Sequence, residues 1–168
     1  MKHGKEKMKI LIKSRKDIET LSKKPFAERT LLISITDAND TPVELTNEPE
    51  YLIRVVFDDV DNDVIVDEVG KNATAEEKVL VEQKYNMISR EQAHEIAKIY
   101  YNHKDEINTL ICQCEHGQSR SAAVAAAILE FRSRRGIDVF SNDNYYPNKV
   151  VYRRVLEALK DQIPVYTT

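Results

Sequence analysis

Three things are scarce in this sequence. There are only two cysteines, Cys112 and Cys114, two positions apart; that is no framework for a disulfide-stapled secreted fold and reads as chemistry, or a strand end, in a reducing compartment. Long apolar runs are missing as well. The longest, residues 122–129, falls far short of the roughly 20 residues that span a bilayer, and the lysine-rich start runs into no apolar stretch with a small-residue cleavage site. Charge of one sign is not in surplus either. The net charge of −3 and a pI near 5.9 give no overall pull toward nucleic acid or an anionic membrane surface. The expectation is a cytoplasmic protein with no nucleic-acid and no membrane partner.

What is present is the material of one soluble domain, residues 1–168, with 42% hydrophobic and 32% charged residues and no repeats. Residues 9–13 followed by Ser14 as N-cap suggest a strand and then a short helix. Residues 31–35 form a buried strand running into a turn-prone stretch at 37–49. Residues 51–57 form another, interrupted only by Arg54 and ending abruptly in Asp58, Asp59, Asp61 and Asp63. From 58 to 87 the chain carries nine Asp or Glu against three Lys. It is expected to hold a long, partly ordered insertion at about 60–87, with a small hairpin from residues 64–69 and 79–81.

Ser89 with Gln92 starts a helix that runs to about residue 104. Residues 109–112 form a short buried strand, 114–120 a glycine-containing turn, and 121–135 a helix closed by Gly136. Pro147 is expected at the first position of a last amphipathic helix. Strands alternating with helices point to an α/β fold with a mostly parallel central sheet flanked by helices, whose ligand site lies beyond the C-terminal strand ends. Two of those ends carry Cys114 and the Asp58 to Asp63 cluster.

Between strand and helix stands Cys114-Glu115-His116-Gly117-Gln118-Ser119-Arg120-Ser121. A turn that curls at a helix N-terminus aims backbone N–H groups inward with the helix dipole behind them, and makes an anion cradle. Residues Glu115, His116, Gly117, Gln118, Ser119 and Arg120 are the expected phosphate-binding set, with phosphate, sulfate or vanadate as occupant. Gly117 lets the backbone turn tightly. Arg120 brings a planar fork that grips two phosphoryl oxygens. The same field favours a thiolate at Cys114, and Ser121 is placed to donate to the sulfur as it departs from phosphorus.

Cys-x5-Arg-Ser, with Gly at the third position after Cys, resembles the active-site loop of cysteine-dependent protein-tyrosine and dual-specificity phosphatases. The order of elements is similar to that of small bacterial and phage-type members over about residues 30–160. The resemblance implies that family's fold, no cofactor, and hydrolysis of phosphotyrosine, and phosphoserine or phosphothreonine, esters on a phosphorylated protein or peptide through a phosphocysteine. It also implies an Asp as general acid after an earlier strand. Asp59 is the first choice, because Val55, Phe57 and Asp59 share a strand face under regular alternation; a bulge would favour Asp58, and Asp61 is third. The acid-rich insertion is expected to repel very acidic substrates and to act as a lid or recognition loop.

In one place the chain departs from the family, with Gln113 where His precedes the nucleophile, and the loop lacks the lysines of phosphoinositide-directed relatives. Two rival functions follow: a phospho-ligand-binding module with little turnover, and rhodanese-like sulfur transfer. Other features read plainly. Asp59-x-Asp61-x-Asp63 fails as a calcium loop, because Val64 replaces the required Gly and Gly70 the closing Glu. The histidines have no metal-ligand spacing with the cysteines. Asn148 is a turn or cap residue, and Arg132, Arg134, Arg135, Arg153 and Arg154 are helix-face charges. Cys112 is a strand residue that would bridge to Cys114 only under oxidant.

Overall fold

The structure, a computed structural model, describes residues 7–166. Four strands, β1 (Lys9–Lys13), β2 (Thr30–Thr36), β3 (Tyr51–Val56) and β4 (Thr109–Gln113), form one sheet in the order β1-β4-β2-β3, with every pairing parallel. Parallel neighbours need crossovers, and helices supply them. They are α1 (Arg15–Leu21), α2 (Asn62–Val69), α3 (Ala75–Lys84), α4 (Arg90–His103), α5 (Arg120–Ser133), α6 (Ile137–Phe140) and α7 (Lys149–Asp161). The α/β class expected from the sequence holds, and the sheet is wholly parallel.

Strand alternation divides the core between the two sheet faces. Leu31, Ile33, Ile35, Leu110 and Cys112 pack into one cluster with α4, α5 and α7. Leu32 and Ile111 point the other way, onto Ile18 of α1 and Val43. Every residue of β2 is buried, as a strand covered on both faces requires. α5 is buried without a break from Arg120 to Ile128; its alanines let it lie close to the sheet, while α7 packs Val150, Val151, Val155, Ala158 and Leu159 inward. Ser89 and Gln92 close the expected capping box on α4. No helix among the described residues is long and apolar enough to cross a membrane.

Three expectations fail. Residues 64–69 and 79–81 are not a hairpin but lie in α2 and α3, because local caps outweigh the β-preference of their valines. Asp61 caps α2 with its side chain, Thr74 and Glu77 form a capping box on α3, and Ile65 and Val81 are buried against the main core. The helix after the 114–120 turn is closed by Arg134, in the left-handed region at φ 57°. Gly136 instead begins α6, pressed so close to α5 that a Cβ would lie 2.8 Å from the Ala126 carbonyl oxygen. Pro147 precedes α7, whose N-cap is Asn148.

Candidate active site

The C-terminal ends of all four strands converge, and the 114–120 turn sits among them. Its carbonyls are tied to the scaffold. The Cys114 carbonyl accepts from Gln113 Nε2 at 3.0 Å, that of Glu115 from the Arg15 N–H at 3.1 Å, and that of Gln118 from the Tyr146 N–H at 2.8 Å. That of Ser119 accepts from Ala123 at 2.9 Å and Asn148 at 3.3 Å. In a trans peptide the carbonyl and the following N–H point to opposite sides. With these four carbonyls facing the scaffold, the N–H groups of residues 115, 116, 119 and 120 face the inside of the turn, at the N-terminus of α5. No acceptor among the described residues takes the N–H groups of 115 to 119.

Cys114 lies at the base of this turn, 2% exposed, with Sγ 3.0 Å from Ser121 Oγ. Gln113 is buried and does two things: Nε2 braces the Cys114 carbonyl, while Oε1 accepts from Ser34 Oγ of β2 at 2.5 Å. The loop therefore has a polar brace at the position where the resembled family carries His. Cys112 is fully buried, and burial, reinforced by the neighbouring Cys114, pushes its thiol well above the ordinary range. It is an interior side chain of β4, and neither cysteine forms a disulfide.

Arg120 is 4% exposed. Its Nη1 donates to the Phe57 carbonyl at 2.7 Å and meets Asp37 Oδ1 at 2.5 Å. Its Nε is the one buried side-chain nitrogen or oxygen among the described residues that lacks a hydrogen-bond partner. Buried donors without partners cost about 1–3 kcal/mol each, so this one marks a place where an acceptor belongs. Asp37, at the end of β2, was not singled out from the sequence. Its signal was its position one residue past a fully buried strand.

The three candidate acids occupy different stations. Asp58 is structural: Oδ1 accepts the Ala38 N–H at 2.8 Å and Oδ2 faces Asn86 Nδ2 at 3.4 Å. Asp61 caps α2, accepting the Asn62 N–H. Asp59 alone reaches the turn, with Oδ1 accepting from Ser119 Oγ at 2.8 Å and from Asn148 Nδ2 at 2.9 Å. Both bonds fall on Oδ1. Asn148 also caps α7 through Val150 and Val151 and reaches the Val60 carbonyl at 3.1 Å. Sequence reasoning recognised only its cap, because its other partners lie 88 and 89 positions away.

The remaining singled-out residues have plainer roles. His116 and Gln118 are exposed on the turn. The side chain of Glu115 pairs with Arg15 Nε at 2.8 Å, and Arg15 also reaches Asp40 and the Thr41 carbonyl. Asp37, Asp40 and Glu115 bring carboxylate oxygens within 4.8 Å of one another, but two guanidiniums, Arg15 and Arg120, already meet their charge. Arg132 and Arg135 are spent on Tyr100 and Asp138, and Arg154 on Glu82 and the Ile88 carbonyl. His94 pairs with Asp161, and His103 stacks on Tyr51 at 4.0 Å between centroids.

Comparisons with known proteins add little. No family model matches the chain, and no curated protein matches it. Among solved structures, the crystal structure of PTPMT1 is similar over 91% of this chain and 90% of that one, at 13% identity and a TM-score of 0.45.

Gly117 gives this subsection its test. It holds φ +67°, and a Cβ there would lie 2.6 Å from the Ser14 nitrogen and 2.7 Å from the Lys13 carbonyl carbon, both backbone atoms. Gly117→Ala is expected to destabilise the protein by about 2–4 kcal/mol through combined strain and overpacking, read as a shift of the urea midpoint. A midpoint matching that of the parent would mean that the turn is not pressed against the β1–α1 junction.

Proposed function

We propose that this chain hydrolyses phosphate monoesters on proteins, phosphotyrosine and also phosphoserine or phosphothreonine, through a phosphocysteine on Cys114. One observation carries the reading: a turn above a buried thiol has four carbonyls tied to the scaffold, no acceptor for its N–H groups among the described residues, and, on the arginine that ends it, a buried guanidine nitrogen without a partner. Such a concave array of donors fits a tetrahedral dianion. The Asp37 carboxylate and the Phe57 carbonyl fix the guanidinium of Arg120 from behind, so its orientation is set before a ligand arrives.

In the first step the Cys114 thiolate attacks phosphorus, the ester P–O bond breaks, and Asp59 gives its proton to the leaving oxygen. The developing negative charge is shared among the turn's N–H groups and Arg120. In the second step water attacks the phosphocysteine while Asp59 accepts its proton. The P–S bond breaks, and the Ser121 hydroxyl donates to the departing sulfur. Inorganic phosphate leaves and the thiolate is restored. Gln113 supports the array by holding the Cys114 carbonyl outward, the part that a His takes in the resembled family.

Replacing Cys114 by Ser is expected to lower turnover of an aryl phosphate by at least ~10³-fold, with vanadate binding largely retained. Full activity in that variant would falsify the covalent route. If the parent binds vanadate yet turns over no aryl phosphate, the chain is instead a phospho-ligand-binding module. Asp59→Asn is expected to slow esters with poor leaving groups by about 10²-fold while sparing activated ones. Asn148→Asp keeps the α7 cap, since Asn and Asp cap equally well to within about 0.5 kcal/mol, but sets a like charge against Asp59. It loses the amide donations to Asp59 and to the Val60 carbonyl, so it should lower thermal stability, while the like charge favours the protonated acid and carries the falling limb of the pH–rate profile to higher pH. A uniform loss across leaving groups in Asp59→Asn would move the acid role elsewhere.

A further inference from the structure

Beside Asp58 the surface opens into a groove of about 530 Å³ between α3, α4 and the end of β3. Its apolar lining is Val56, Val79 and Met87, with Gln83, Asn86 and Glu91 among its polar neighbours. Val56 and Val79 are each 47% exposed, and Leu80, the next residue on α3, 67%. A second, almost wholly apolar concavity shares Val79 and continues along α3 over Ala75 and Leu80. A short helix that turns valine and leucine toward water beside an open groove is built for contact with something else.

The groove is joined to the site. Asn86, on its wall, accepts the Asp58 N–H at 2.8 Å through its carbonyl and faces Asp58 Oδ2 through its side chain. Asp59 is the next residue. A chain lying in the groove therefore arrives at the candidate phosphoryl site within a few residues.

Charge selects what lies there. Residues 58–87 hold nine carboxylates against three lysines, a net −6 within a chain whose total is −3. The exposed acids Asp63, Asp67 and Glu76 make no ion pair among the described residues. At the rim Arg90 offsets Glu91, and Glu82 is held by Arg154, so the attracting field comes from α2 and α3. That field disfavours nucleic acid and anionic lipid and draws cations.

We propose that this groove docks a basic segment of the phosphoprotein substrate, with an aliphatic side chain over Val79 and lysines or arginines facing α2 and α3. The inference rests on the phosphatase reading above and names the substrate class for it.

Two phosphotyrosine peptides, identical except that Lys, Arg and Leu flank the tyrosine in one and Glu, Asp and Ser in the other, test it. The basic peptide is expected to show a kcat/KM at least about tenfold higher at low ionic strength. The ratio should shrink in about 0.5 M salt. The double variant Glu76→Lys, Val79→Lys alters exposed side chains only; it should bring the two peptides within about twofold of each other while aryl phosphate hydrolysis stays at the parental rate. Equal use of the peptides by the parent protein, or a preference that survives in the variant, overturns the proposal. Fluorescence anisotropy of the unphosphorylated basic peptide reads the groove without catalysis. Binding by the parent and loss in the variant supports docking even if no ester is hydrolysed, and no binding, or tighter binding of the acidic peptide, refutes it.

Discussion

Each peptide plane in the 114–120 turn must commit its carbonyl to one side, and the structure commits four of them to the scaffold. One donor is the neighbouring Gln113 side chain at the end of β4; the others come from distant stretches of chain, the Arg15 backbone at the start of α1 and the Tyr146 and Asn148 backbones before α7. What remains inside is a set of N–H groups and the buried N-terminal end of α5. No side chain of the turn need point inward for this to hold, which is why His116 and Gln118 are free to face solvent. The parallel sheet matters to the site because it brings those donors to one end of the molecule.

Arg120 shows how a buried charge is kept. Removing a guanidinium from water is expensive unless partners replace the lost hydration. Nη1 has two such partners, Phe57 and Asp37, while Nε has none. Local satisfaction is thus complete on the scaffold side and incomplete on one atom. Departures of this kind from an otherwise consistent structure concentrate where a protein does its work.

Much of the fold was legible because local signals agreed with burial. Ser14 and the Ser89–Gln92 box start helices as expected, and residues 31–35 and 109–112 lie in strands. The valines of residues 64–69 and 79–81 misled, since side-chain type was weighed above the capping signals at Asp61 and Thr74. For the site, the strand, turn and helix around Cys114 could be read locally. The supports of the turn could not. Asp37, Ser34 and Asn148 meet Arg120, Gln113 and Asp59 only because strands and helices far apart in sequence end side by side. Alternation along β3 suggested Asp59, but what sets its oxygen at the turn is a pair of donors, Ser119 and Asn148, that no periodicity announces.

The close approach of Gly117 to the junction after β1 reaches further than the turn itself. β1 is an outer strand whose one sheet neighbour is β4, and such margins are where a sheet opens first. Peeling it away would release Arg15 from the Glu115 carbonyl and Lys13 from the Cys114 N–H in the same motion. β1 and the candidate catalytic loop are therefore one cooperative unit, so that fraying at the molecule's border would dismantle the donor array in step with it.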